Sequence, residues 1–351
     1  MSHVFSISGR AIGPGHSPYI IAELSGNHNG DLGRALALID AAAKTGADAV
    51  KLQTYTADTI TIASDRPEFI IKGTPWDGRS LHDLYQEAST PWDWHEALFA
   101  RARGHGLHVF SSPFDPTAVD FLETLDPPAY KIASFELVDT PLIRKVAATG
   151  KPLIMSTGIA NYAEIEDALR AAREGGADCV SLLHCVSAYP ARPEDMRLRT
   201  IEALASAFGV QVGLSDHTLG SAVAVASIAR GARIIEKHMT LARADGGPDA
   251  DFSLEPHEFK QLVDDCRMAH GALGAPIYDR KGVGGANAQF RRSLYVVADV
   301  AAGEVLTEAH VRSIRPGLGL APKHLPDVLG KRAARALSHG EPFDWSMIAR
   351  G

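Results

Sequence analysis

The chain has 351 residues, 45% hydrophobic and 22% charged, with a formal net charge of −7. That length suits a large domain with a smaller companion better than one small domain. The acidic balance gives no support to a nucleic-acid partner, and no apolar run approaches the roughly 20 residues that span a bilayer. Three cysteines without CxxC spacing argue against a disulfide framework or a thiolate metal site. The opening residues MSHVFSISGRAIGPGHSP carry no apolar signal core, so the expected compartment is the cytoplasm, with no membrane attachment.

Short apolar runs then alternate with helical patterns. The runs are YIIAEL (19–24), ADAVKLQ (47–53), LHVFSS (107–112), AYKIAS (129–134), PLIMS (152–156), CVSLLHC (179–185), VQVGLSD (210–216) and ARIIEKH (232–238). Amphipathic segments follow them, among them LGRALALIDAAAKTG (32–46) and NYAEIEDALRAAREGG (161–176). In the latter, Asn161 and Glu164 have the spacing of a capping box, and Gly175 and Gly176 mark the stop. Eight strand–helix units in series predict an α/β fold, a (β/α)8 TIM barrel of about 250 residues. We place it at 1–280.

The spacing breaks once. More than fifty residues separate Gln53 from Leu107, and the excess is rich in aromatic, glycine and proline residues. An excursion after a barrel strand lies on the face where barrel active sites form. Beyond the last helix, a Gly-rich polar stretch reads as a linker (281–291). Its GVGGAN is no phosphate loop, since no Lys-Ser/Thr follows. Residues 292–351 change texture to short alternating strands and Gly-Pro turns, a small β-rich module. About sixty residues bury a marginal core, so this module is expected to lean on another surface.

Barrel enzymes take their reactive groups from the C-terminal strand ends. Here those ends offer Glu23, then Lys51 and Gln53, Ser111 and Ser112, Lys131 and Ser134, Ser156 and Thr157. His184 with Ser187 and Tyr189 follows, then Ser215, Asp216 and His217, then Glu236, Lys237 and His238. Each alone is ordinary as a rim residue; polar groups at all eight ends are not. Two lysines converging with hydroxyls make a site for a doubly charged anion such as a phosphate. A buried lysine also serves as a Schiff-base nucleophile, as in barrel aldolases. The residues alone leave both uses open. His217 and His238 sit on neighbouring strand ends and could share one ion, with Asp216 and Glu236 orienting them. Among 15 histidines such a pair is a weak signal. Two protein ligands would leave an open coordination sphere, suited to polarising a carbonyl.

With their neighbours, these residues resemble the sialic acid synthase family. The resemblance runs through IAELSGNHNGD, GADAVKLQTY, SSPFD, YKIASFE, MSTGIA, LLHCVSAYP, GLSDHTLG, IEKHMTL, GGPDADFSLEP and IRPGLGLAPKHL. The finer resemblance, on GTPWDGRSLHDLYQEASTPWDWH (73–95) and Ser187, is to the pseudaminic acid branch. It implies condensation of phosphoenolpyruvate with the open-chain aldehyde of an acetamido sugar, with phosphate leaving by C–O cleavage. For that branch the sugar is a diacetamido-trideoxy-altrose; sialic or legionaminic acid synthesis is the same chemistry on another sugar. The resemblance also implies that the C-terminal module is an antifreeze-like (SAF) domain, reaching across a homodimer in a domain-swapped arrangement.

The family's motif makes Lys51, Lys131, Ser134, Ser156 and Ser215 phosphoenolpyruvate contacts, with Gln53 and Ser112 nearby. It makes His217 and His238 catalytic ligands of a divalent ion, manganese or magnesium. It gives Glu23 the proton of an added water, and turns Tyr189, Asp249 and Arg315 toward the sugar. Ser187 stands where the N-acetylneuraminate branch carries Asn. The lysines become anion ligands on this reading, and a Schiff-base aldolase or a non-catalytic sugar-binding protein become the alternatives.

Overall fold

The computed structural model describes residues 4–73, 76–278 and 285–349. The chain divides into two compact units, Met1–Gly274 and Ala275–Gly351. The expected linker 281–291 falls partly outside the described residues, and what is described of it belongs to the second unit.

The first unit opens with a hairpin the sequence reading did not identify: β1 (Phe5–Ile7) pairs antiparallel with β2 (Arg10–Ile12). Ser8 and Gly9 form its turn, both at positive φ, which matches the twist of the flanking strands. Eight parallel strands then close into a barrel. They are β3 (Tyr19–Glu23), β4 (Ala49–Thr54), β5 (His108–Pro113), β6 (Tyr130–Ile132), β7 (Leu153–Ser156), β8 (Val180–Cys185), β9 (Gln211–Asp216) and β10 (Ile234–His238). Each coincides with one of the eight apolar runs.

Strand alternation sorts the side chains into two cores. One alternate set, including Ile20, Val50, Val109, Ile132, Met155, Leu182, Val212 and Ile235, packs outward against the helices. The other set fills the lumen: Tyr19, Ile21, Ala49, Phe110, Ala129, Ile154, Leu183 and Ile234. Ile7 and Ile12 of the hairpin join this inner cluster, so the hairpin plugs the N-terminal end of the barrel. Gly213 also occupies this layer; a Cβ there would stand 2.3 Å from the Ile234 carbonyl oxygen. That contact explains the glycine in an otherwise apolar strand.

The helices start and stop where local chemistry dictates. Asp31 caps Leu32–Thr45 by accepting from the Arg34 amide, and Gly46 ends it in the left-handed conformation. Asn161 and Glu164 do form the expected capping box on Tyr162–Glu174. The excursion after β4 folds into two short helices, Ala57–Ile60 and Leu81–Ala88, with a bridge between Ile70 and Ser80.

The second unit has its own core around Leu294, Val296, Val300, Leu306, Val311 and Phe343. β11 (Ser293–Val296) pairs antiparallel with β12 (Val311–Ile314), and isolated bridges supply the remaining pairing. Among the described residues no helix is long and apolar enough to cross a membrane.

Candidate active site

Two residues beyond the apolar lumen layer, the same inward-facing columns turn polar. Ile21 is followed by Glu23, Ala49 by Lys51 and Gln53, Phe110 by Ser112, and Ala129 by Lys131. Likewise Ile154 is followed by Ser156, Leu183 by Cys185, Gly213 by Ser215, and Ile234 by Glu236 and His238. Barrel register aligns them further. His238 lies opposite Glu23, Glu23 opposite Lys51, and Gln53 opposite Ser112.

These groups form one connected network. Lys51 Nζ lies 2.6 Å from Glu23 Oε2 and 3.7 Å from Glu236 Oε1, and donates to Ser112 Oγ at 3.2 Å. Lys131 Nζ donates to both oxygens of Glu236, at 2.8 and 3.0 Å. Ser215 Oγ donates to Glu236 at 3.2 Å and Gln53 Nε2 to Glu23 at 2.9 Å. Glu236 therefore bridges the two ammonium groups, which the sequence reading had left free for an anion. Burial penalises the Glu236 carboxylate, but Lys131 and Lys51 outweigh that and hold its pKa down to about 2. At Glu23 burial prevails over Lys51, and its pKa is raised. At Lys131 burial prevails over Glu236, and its pKa is lowered.

The histidines stand beside this network. The imidazoles of His217 and His238 lie 5.4 Å apart, centre to centre. His217 Nδ1 donates to the Val186 carbonyl at 2.9 Å, so the lone pair of the neutral ring lies on Nε2; burial disfavours its charged form, but Cys185 and the Val186 carbonyl outweigh that and raise its pKa. Burial, then the positive groups around it, push the His238 pKa well below the usual value, so this ring is neutral. Its Nδ1 is buried without a hydrogen-bond partner. A neutral imidazole with an orphaned nitrogen, beside a second imidazole, has the chemistry to hold a divalent cation. Among the described residues no cluster of three or more His, Cys, Asp or Glu is placed to hold a metal ion.

Two expectations need correction. Asp216 does not orient His217. It points to the helix side, where Oδ2 pairs with Lys237 Nζ at 2.7 Å and Oδ1 accepts from Thr218 N and Oγ1 at 3.0 and 2.8 Å. Glu236 serves the lysines and hydrogen-bonds to neither histidine. Ser111 and His184 also face outward: Ser111 bonds Thr54 Oγ1, and His184 bonds the Met196 carbonyl.

On the β7–β8 side, Ser156 Oγ is buried and unpartnered, and Ser134 Oγ accepts the Gly158 amide at 3.1 Å. Gly158 is tightly enclosed: a Cβ there would meet Ser187 Oγ at 2.2 Å and Ser134 Oγ at 2.8 Å. Opposite, Tyr189 packs 4.4 Å from His217 and 5.1 Å from Phe252. Asp249 accepts from Ser25 Oγ, and burial raises its carboxyl pKa. Arg315 is exposed and follows β12 in the second unit.

Glu136 was missed. It lies in the turn Phe135–Val138 after β6; one carboxyl oxygen is buried without a partner, and burial raises its pKa to about 7. Trp76 and Ser25 were missed too. None of the three ends a strand, and strand ends were the only positional signal available.

Comparison with known proteins identifies the family of each unit. The NeuB family profile matches residues 38–278, and the SAF domain profile residues 291–349. The chain is 46% identical to a pseudaminic acid synthase of Campylobacter jejuni, covering 92% of this chain and 94% of that one. It is 44% identical to a pseudaminic acid synthase of Helicobacter pylori, covering 95% and 98%. Among solved structures, the N-acetylneuraminic acid synthetase of Leptospira borgpetersenii, in complex with citrate, superposes with a TM-score of 0.74. It is 30% identical and covers 83% of this chain and 97% of that one.

Proposed function

The chain belongs to the NeuB family, and on that premise we propose that it is a transferase making pseudaminic acid. It would condense phosphoenolpyruvate with the open-chain aldehyde of a diacetamido-trideoxy-altrose. One observation carries the reading: Lys51, Lys131, Glu23, Glu236, His217 and His238, from five strands, meet at one mouth of the barrel. The two pseudaminic acid synthases cover nearly the whole chain and supply the sugar.

Lys51 and Lys131, with Ser134, Ser156 and Ser215, take the phosphate and carboxylate of phosphoenolpyruvate; Ser112 and Gln53 hold Lys51 and Glu23 in place. The unpartnered Ser156 hydroxyl suits that task. His217 and His238 would hold a manganese or magnesium ion, which when bound supplies Lewis-acid polarisation of the sugar aldehyde. The phosphoenolpyruvate methylene carbon bonds to the aldehyde carbon as the C=O π pair passes to its oxygen, which takes a proton from water and becomes a hydroxyl; an oxocarbenium centre is left at the neighbouring enol carbon. Water adds there and gives its proton to Glu23, whose carboxylate basicity is raised by burial. Collapse of that adduct expels phosphate with C–O cleavage. Tyr189 and Asp249 face the sugar.

Exposed Phe135, Val138, Ile159 and Leu219 rim the loops leaving β6, β7 and β9. We assign their cover to the C-terminal domain of a second copy in a domain-swapped homodimer, which brings Arg315 to the sugar. The three free cysteines suit a reducing cytoplasm.

The test is phosphate release over a panel of amino sugars, with and without chelator. Preference for the diacetamido-trideoxy sugar is expected; equal or better use of N-acetylmannosamine overturns the sugar. His217→Ala and His238→Ala should abolish chelator-sensitive turnover in a folded protein, and normal activity in either refutes the metal ligands. Borohydride trapping of a lysine adduct would replace this mechanism with a Schiff-base one. An active monomer lacking 292–351 would rule out the shared site.

A further inference from the structure

We infer that Trp76, at the tip of the excursion after β4, is a wall of the sugar pocket and a specificity-determining residue. As such it favours the diacetamido-trideoxy sugar, with its second acetamido and terminal methyl groups, over N-acetylmannosamine. The inference rests on the proposed function above. Its ground is where the indole is held.

The excursion draws together below its tip. The Ile71 amide donates to the Arg79 carbonyl and the Gly78 amide to the Ile71 carbonyl, both at 2.9 Å. Asp77 accepts the Gly73 amide at 2.5 Å. This closed loop presents Trp76 to the barrel mouth at two points. Its ring lies 6.0 Å from that of Tyr189, on the loop after β8. Its Nε1 donates to the Pro248 carbonyl at 3.1 Å, next to Asp249 on the segment after β10. Trp76 thus joins the two loops that carry the sugar-facing residues.

Aromatic rings line that corner. Trp76, Tyr189 and Phe252 form a chain of rings, with Phe252 a further 4.9 Å from His238. An indole face packs well against C–H groups, and a hydroxyl laid against that face, away from the Tyr189 phenol and the Asp249 carboxyl, would be desolvated without a partner. A hydrophobic pocket discriminates a small substituent by roughly 10–200-fold, so one indole is enough to matter. The indole N–H is committed to the Pro248 carbonyl, which fixes the ring's orientation.

The experiment compares Trp76→Ala and Trp76→Phe with wild type on two sugars, the diacetamido-trideoxy-altrose and N-acetylmannosamine, at saturating phosphoenolpyruvate. In Trp76→Ala, kcat/KM for the trideoxy sugar should fall about tenfold, through KM, a loss of ~1.4 kcal/mol. For N-acetylmannosamine it should change less than about twofold, and KM for phosphoenolpyruvate should not move. Trp76→Phe should recover most of the preference, and it answers the question if the alanine variant misfolds. Equal losses on both sugars, or a KM for phosphoenolpyruvate that rises in step, would overturn the inference and make Trp76 a mere support of the loop. If wild type itself prefers N-acetylmannosamine, the proposed sugar falls instead. An unmoved KM for that sugar in Trp76→Ala would then remove the wall as well.

Discussion

The two halves of the barrel lumen differ in kind, one apolar and one ionic, although the same eight strands build both. The N-terminal half is a plug of Tyr19, Ile21, Phe110, Ile154, Leu183 and Ile234, closed by the hairpin's Ile7 and Ile12. The C-terminal half, one alternation further on, buries two lysines, two glutamates and two histidines. The apolar layer gains free energy from burial, while the polar layer must offset desolvation with ion pairs that at best break even. Stability and chemistry are thus separated along the strand, not between strands.

The sharpest way to break this contrast is to make the upper layer resemble the lower. Lys131→Met with Glu236→Leu removes a buried pair together, leaving no lone charge. Turnover should fall by at least about a thousandfold, as when a charge-stabilising group is lost, while Tm stays level or rises. Phosphate release and a thermal melt check both halves, and a large drop in Tm would show that the pair holds the barrel together. Lys131→Met alone should be worse for stability than the double change, by up to roughly 3 kcal/mol, because it leaves the buried Glu236 carboxylate with only Ser215 and the more distant Lys51.

The converse test enters the lower layer. Phe110 is fully buried there, and Phe110→Ala should cost about 3–5 kcal/mol of stability by opening a cavity. Activity per folded molecule should stay near wild type at a temperature where the variant is folded. Denaturant unfolding and kcat measured together decide it; a collapse of kcat without a matching loss of stability would mean the two layers are coupled.

Much of this was legible because period two is hard to hide. Eight apolar runs, each ending in polar residues, gave the barrel and its reactive end. What could not be read was which alternate residue faces inward. At β10 the run Glu236, Lys237, His238 is polar on both faces, and only helix packing assigns Lys237 to the outside with Asp216. That is why Asp216 was expected beside the histidines. The ring wall was hidden for a different reason. The excursion has no period, and nothing in GTPWDG says that its tryptophan returns to a loop over 170 positions away. The hairpin was lost because two three-residue strands barely register as a pattern.

Glu136 offers the mildest perturbation and tests whether the polar layer's cost extends to its rim. Burial raises its pKa from 4.5 to about 7, so the folded state holds a proton there that the unfolded chain has released. A raised carboxyl pKa means stability present below about 4.5 and lost progressively as pH rises toward 7. Glu136→Gln keeps the neutral shape and cannot ionise. Its melting curve should therefore match wild type near pH 4.5 and exceed it by a growing margin up to pH 8, on the order of 1–2 kcal/mol once screening at this half-buried site is allowed for. A pH-independent difference would show that the unpartnered oxygen finds a donor, and that the rim bears none of the expense seen deeper in the barrel.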